Sequence, residues 1–373
     1  MSNLEKISES DQPGRMPLKF AALDPYLEQN IIQPTEVKGG KYVTWGTANR
    51  YPQYLVELYN SVPTLRSIIN GSADFVAGDD VTSTRPLNSR QLPREFVHEA
   101  ALYDFIFGGE AYQVIRDRTG NPVEMYPINP AYLRTDEDNE VFYYSEKWGK
   151  GGRDAIVYPK FLPNLEQSWG RLTDEEKNRH ASSILWVKNS PMQAYPAPLY
   201  CAAIKSCEME RGIDDYHLNS LENGFTSSVI VNFNAGWPAT DQIKEEVERE
   251  FSEKFGGPTN AGRILFSWNK TRDTATTITP FKVEDFGEKY QSLAKWARQQ
   301  IFTAFQAVPA IFGLMTESTG FNEQEFEQAF RLYNKTRILP AQRRITDALE
   351  KVFGPGVVTI VPFNLDNNNA IVQ

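Results

Sequence analysis

Residues 285–353 read DFGEKYQSLAKWARQQIFTAFQAVPAIFGLMTESTGFNEQEFEQAFRLYNKTRILPAQRRITDALEKVF, and how they divide decides the fold. Tyr290, Leu293, Ala297, Ile301, Phe305 and Val308 step by three and four, which lays one apolar stripe along a helix. Pro309 is expected to stop it, because proline lacks the N–H that the next turn would use. Residues 310–315 then form an apolar turn, and residues 316–320 are small and polar with neither helical nor strand period.

A second helix begins at once. Asn322 is a suitable N-cap, with Glu325 three residues on at capping-box spacing. Phe326, Phe330 and Tyr333 share a face, and Ile345, Leu349 and Val352 carry the stripe onward to Phe353. Pro340 falls inside this pattern and predicts a kink near Leu339. Gly354-Pro355-Gly356 ends the helix, which at 1.5 Å per residue would be about 45 Å long. Glu323, Glu325 and Glu327 crowd its start, whereas Lys335, Arg337, Arg343 and Arg344 fill later turns, an order that complements the helix dipole.

Around this core the composition sets bounds. The chain has 373 residues, room for two or three domains or one large irregular one. A hydrophobic content of 40% with 23% charged residues is that of a folded chain. The net charge of −9 argues against gripping nucleic acid by bulk charge, yet suits a surface past which DNA slides without sticking. Cys201 and Cys207 lie on different faces of one predicted helix, so a bridge between them is not expected. No secretory pattern opens the chain and no apolar run reaches membrane-spanning length, so synthesis in a reducing cytoplasm and no membrane partner are expected.

In chain order, residues 1–41 are polar, punctuated by Pro13, Pro17, Pro25 and Pro34, and read as a flexible arm. Short helices are predicted at 52–59, then from a Ser61 cap with Pro63 in the first turn to just before Gly78, then at 93–107. The period then changes to two. Strands are predicted at 110–117, 123–126, 132–134, 141–145, 155–158 and 184–188, as a meander with turns at 118–121, 138–139 and 149–152. A long helix follows from Leu199 to Asn223. The block 225–281 is self-contained: strand, helix with Ile243, Val247, Phe251 and Phe255 on one face, strand, and a Thr-rich strand. A final strand is predicted at 357–361. The class is α+β with an antiparallel sheet.

Catalytic constellations are missing. Residues 257–264 mimic a Walker A loop, but Arg263 and Ile264 replace the lysine and hydroxyl that act on phosphate and magnesium, and no helix N-terminus follows. His98, His180 and His217 are isolated, so neither a histidine metal site nor a triad is expected. Asp136-Glu137-Asp138-Asn139-Glu140 has Val141 where a calcium loop needs glycine, and reads as a solvated turn. Asp79-Asp80 and Asp214-Asp215 are neighbours that share no helix face. The run 142–148, FYYSEKW, is the nearest thing to a base-stacking platform, and packing explains it better. No cofactor is expected.

Residues 301–340 resemble the C-terminal half of phage portal proteins of the HK97 type. In that family a helix runs into a Val-Pro, hydrophobic, Gly turn, then a small-residue loop, an Asn-x-Glu-like helix start and an aromatic-rich helix ending at proline. Val308-Pro309, Ile311-Phe312-Gly313, Asn322-Glu323 and Ile338-Leu339-Pro340 stand at those places. Ala310 departs from the pattern, since many members have a second proline there. Residues 195–225 look like the family's lead-in to its first stem helix, and residues 45–79 are similar to the opening of portals from Bacteroidota phages.

The resemblance implies a portal-like division: arm 1–41; wing 42–195 together with 354–373; first stem helix 196–224; clip 225–281; second stem helix 282–309; tunnel loop 310–322; spine helix 323–353. A crown is minimal or absent, as only residues 354–373 follow the spine. It further implies a ring, usually a homo-dodecamer, at one capsid vertex of the virion, assembled in the host cytoplasm, through which double-stranded DNA is packaged and ejected. The implied partners are the terminase large subunit, the major capsid protein and a head-tail adaptor. Thr316, Glu317, Ser318, Thr319 and Gly320 would line the channel. Lys289, Lys295 and Arg298 are either weak phosphate contacts or ordinary surface charges, and Ile243, Val247, Phe251 and Phe255 serve clip packing or docking. The portal itself would hydrolyse nothing. The competing readings are another ring-forming virion or neck component, and an enzyme with an unrecognised site.

Overall fold

The computed structural model describes residues 35–38, 40–148, 154–189, 194–222, 230–233, 265–268, 286–313 and 323–363. After two short strands, β1 (Glu36–Val37) and β2 (Thr44–Trp45), the chain enters helices α1 (Tyr51–Ser61) and α2 (Pro63–Ala77). Ser61 is not the cap of α2; it is the last residue of α1. Pro63 holds Val62 extended at φ −107°, and Val62 occupies the cap position without a side-chain bond. α2 buries Leu65, Ile68, Ile69, Ala73 and Val76 on the face that its spacing predicts. Strand β3 (Asp80–Ser83), which the sequence reading missed, leads to α3 (Pro93–Phe107).

Gly108 ends α3 with φ +81°, and a Cβ there would meet the Ala197 carbonyl oxygen at 2.0 Å. Gly108→Ala is therefore expected to cost about 2–4 kcal/mol, from left-handed strain plus displaced backbone. Gly170→Ala, with nothing within 4 Å, is the control. Denaturant melts of the two variants check this; equal midpoints would refute it.

The predicted strands form as β4 (Gly109–Arg116), β5 (Pro122–Ile128), β6 (Leu133–Thr135), β7 (Val141–Tyr144), β8 (Ile156–Pro159) and β9 (Ser182–Lys188). They are not one meander. β9 returns to pair antiparallel with β4, giving the order β5-β4-β9, while β6-β7-β8 make a second antiparallel sheet. The reason is face coverage: Ala111 and Ile184 of the first sheet pack on Leu133 and Phe142 of the second, so splitting buries both inner faces. Helix α4 (Asp174–His180), capped by Thr173 and Glu176, precedes β9.

Next come α5 (Ile204–Glu222), β10 (Ile230–Phe233), β11 (Leu265–Trp268) and α6 (Phe286–Phe305). β10 and β11 are parallel, with Ile230 opposite Leu265, the pairing that a strand-crossover-strand unit requires. α6 packs against α5. Its stripe is buried at Ala297, Ile301 and Phe305, whereas Leu293 and Val308 are exposed. α6 ends at Phe305, with Gln306 at φ +53°, before Pro309 is reached. Pro309 instead starts a 3-10 turn, Pro309–Phe312.

The last helix has two limbs, α7 (Glu323–Tyr333) and α8 (Leu339–Phe353), joined by a π turn at Asn334–Ile338. Pro340 thus perturbs the helix as expected, but the irregularity lies upstream. Proline withholds one donor and crowds the carbonyl four residues back, and the wider turn absorbs both. Strand β12 (Val358–Val361) closes the fold by pairing antiparallel with β3. One core joins α1, α2 and α3 to α6, the 309–312 turn, α7 and α8.

Candidate functional site

The 314–322 segment lies outside the described residues, and with it Thr316, Glu317, Ser318, Thr319, Gly320 and the Asn322 cap. Its two anchors are described, and both rest on α2. On one side Phe312 packs near Phe302, Phe75 and Tyr333, at ring-centroid separations of 6.2, 6.1 and 5.7 Å. The approach depends on Gly71, where a Cβ would stand 2.8 Å from the Phe312 ring. On the other side Tyr333 hydroxyl and Ser72 Oγ are 2.7 Å apart, and Phe330 meets Phe75 edge-on at 5.3 Å. Burial pushes the Tyr333 phenol up to about 12, so it stays neutral at this contact. The sequence reading missed Gly71 and Ser72 as supports. Their signal was available: Gly-Ser inside a helix costs stability unless something must come close.

The α5/α6 hairpin that leads to this segment is fastened to α1 and α2 by two buried carboxylates. Glu208 Oε1 accepts from Tyr54 hydroxyl at 2.7 Å, and its Oε2 lies 2.9 Å from Arg211. Glu210 Oε1 accepts from Thr64 Oγ1 at 2.7 Å and from Arg298 Nε at 3.1 Å. Burial raises both acids, with Tyr54, Thr64 and the arginines pulling the other way. Arg298, expected as a phosphate contact or surface charge, is thus engaged with Glu210 on α5. Lys295 is exposed on the same helix, and Lys289 falls in its first turn.

A second charged cluster ties α8 to the sheet. Arg344 pairs with Asp104 of α3, and its Nε is 4.0 Å from Glu110 of β4. Glu110 Oε2 accepts from Tyr112 hydroxyl at 2.7 Å. Burial raises the Asp104 and Glu110 carboxyls, Glu110 well above the usual value with Asp104 adding to it.

Ile243, Val247, Phe251, Phe255 and the 257–264 loop lie outside the described residues. Trp148 of the aromatic run is packed, 4.8 Å above the buried Arg134 guanidinium and 5.0 Å from Tyr42. Cys201 and Cys207 are free, one exposed and one buried. Among the described residues, no group of three or more His, Cys, Asp or Glu could hold a metal ion, and no helix is long and apolar enough to cross a membrane.

A helical hairpin, an anchored turn and a π-broken last helix beside antiparallel sheets define a mixed helix-and-sheet fold of the portal kind. The phage portal protein family model matches residues 80–368, and the chain belongs to that family. A protein of Rickettsia felis described as uncharacterised is 25% identical over 301 residues, covering 71% of this chain and 76% of that one. Among solved structures, a chain from the virion of a native gene transfer agent particle is similar with a TM-score of 0.53 at 17% identity, covering 90% of this chain and 87% of that chain. A chain from the neck of the empty particle, determined with C6 symmetry, is similar with a TM-score of 0.51 at 15% identity, over 90% and 87% of the two chains.

Proposed function

We propose that this chain is the subunit of a ring at one capsid vertex through which double-stranded DNA is packaged and ejected. The observation that carries the reading is the double anchoring of the 314–322 segment on α2, in a chain of the portal family. Rigid supports on both sides let a loop shift without unfolding its anchors, which a DNA constriction needs. Thr316, Glu317, Ser318, Thr319 and Gly320 line the channel, and the acidic chain keeps DNA contacts weak and non-specific.

The parts divide as the family resemblance implies. The wing spans 42–195, the stem helices 196–224 and 282–309, the clip 225–281 and the spine 323–353. The clip docks the terminase large subunit and later the head-tail adaptor, while the wing meets the major capsid protein. A similar chain comes from a gene transfer agent neck determined with C12 symmetry, with a TM-score of 0.50, which supports a dodecamer in the virion. Assembly takes place in the host cytoplasm, and ATP hydrolysis belongs to the motor rather than to this chain.

Oligomer mass combined with negative-stain imaging of the purified protein tests the reading. The expected result is a ring of about a dozen subunits with a channel wide enough for a B-form duplex, whose grooves alone are about 6–12 Å wide. A closed dimer with a ligand-sized pocket overturns it and favours an enzyme. A ring that binds no terminase through residues 225–281 favours another neck component.

A further inference from the structure

Where the two antiparallel sheets meet α3, the surface opens into a groove of about 860 Å³. Its walls carry Tyr103 from α3, Tyr126 from β5, Tyr132, Tyr144 from β7 and Tyr158 from β8. All five are half-buried, and the Arg90 guanidinium, which also lines the groove, lies 5.4 Å over the Tyr126 ring. Tyr132 and Tyr144 stand edge to face with centroids 6.0 Å apart. Two carboxylates sit among them: Glu99 accepts from Tyr103 hydroxyl at 2.7 Å, and Glu124 from Tyr126 hydroxyl at 3.1 Å. Tyr103, Tyr144 and Tyr158 also back onto the two cores, but the portal reading makes no use of the groove they line.

An occupant of matching chemistry exists in the same chain. Residues 13–19 read PGRMPLK. Pro13 and Pro17 bias the residues before them towards extended backbone. In a polyproline II helix, with three residues per turn, Pro13, Met16 and Lys19 would share one edge. Aromatic-lined grooves recognise that conformation because little entropy is lost on binding. Arg15 and Lys19 bring positive charge to the side of Glu99 and Glu124. Reach is sufficient. The arm joins the described chain at Thr35, where Glu36 accepts from Tyr195 N at 3.0 Å, and Val43 N donates to Thr135 of β6 at 2.8 Å. Residues 20–34, fully extended, span about 50 Å. A tether of that length holds the segment at high effective concentration.

We infer that the tyrosine groove is the docking site of this chain's own arm, residues 13–19, held as an extended proline-containing segment with its cations on Glu99 and Glu124. The arm is then a clasp on the sheets rather than a free tail.

Photo-crosslinking of the full-length protein tests this, with benzoylphenylalanine replacing Met16 and mass-spectrometric mapping of the adducts. The expected result is adducts within one chain on peptides containing Tyr126, Tyr132 or Tyr144. Arg15→Glu with Lys19→Glu should reduce them about tenfold, because two exposed charge pairs are reversed, and adding Glu124→Lys should restore part of the yield. Adducts elsewhere, adducts between two copies, or adducts indifferent to the charge reversal overturn the inference.

Discussion

Arg344→Met should cost about 3–5 kcal/mol at neutral pH, because it strands two buried carboxylates that share one guanidinium. The Asp104 and Glu110 side chains are 3% and 1% exposed, so water cannot take the place of the arginine. Only protonation relieves them. Lowering the pH towards 5 should therefore return much of the lost stability, and Asp104→Asn with Glu110→Gln should return it without any change of pH. The wild-type protein already carries a trace of this behaviour. Glu110 is held well above its unfolded value by burial and by Asp104. Its native form binds the proton more tightly, so its contribution is full below the unfolded value of about 4.3 and declines as pH rises through the folded value. Glu110→Gln should flatten that decline. Urea titrations of the four proteins at several pH values provide the measurement. A loss independent of pH would mean that Arg344 acts by packing alone.

The second large effect is expected at the carboxylates that fasten the α5/α6 hairpin. Glu208→Ala with Glu210→Ala leaves Tyr54, a buried phenol, without its acceptor and cuts both ties to α1 and α2. Amide exchange across 204–213 and 290–305 should accelerate about a hundredfold, corresponding to about 3 kcal/mol of local opening, while α3 and β4 stay protected. The glutamine pair keeps the shape and an acceptor oxygen for each hydroxyl, and should sit between the alanine pair and the wild type. Uniform acceleration over the whole chain would show that these groups serve global stability rather than the attachment of the hairpin.

Much of this was legible in local sequence. Spacing placed α3 at its observed bounds, and period-two alternation located six strands. The Gly354-Pro355-Gly356 stop ended the last helix where it ends. These features depend on neighbours within a few residues: side-chain period, proline geometry and the lack of a Cβ. The order of helix, apolar turn, polar segment and long helix, together with the four short motifs along it, was enough to point to the portal family.

What local spacing could not settle was partnership. It predicted one meander, but β9 crosses back to β4, because pairing is chosen by which apolar faces can be covered at once. It set Arg298 among possible phosphate contacts without showing that Glu210, from another helix, lies 3.1 Å away. It read Arg344 only as a charge suited to a helix C-terminus, and the structure places it against two buried acids. Gly71 and Ser72 were two small residues on a helix until Phe312 and Tyr333 arrived from the far end of the chain. The sequence by itself determined most of the helices, turns and strands, though not β3 or α4, since these follow from short-range sterics and hydrophobic period and those two elements are short. Tertiary structure alone decided which carboxylate meets which arginine and that Phe312 and Tyr333, on either side of 314–322, rest on α2, because those contacts join residues more than a hundred positions apart or on separate elements, where no local period reports them.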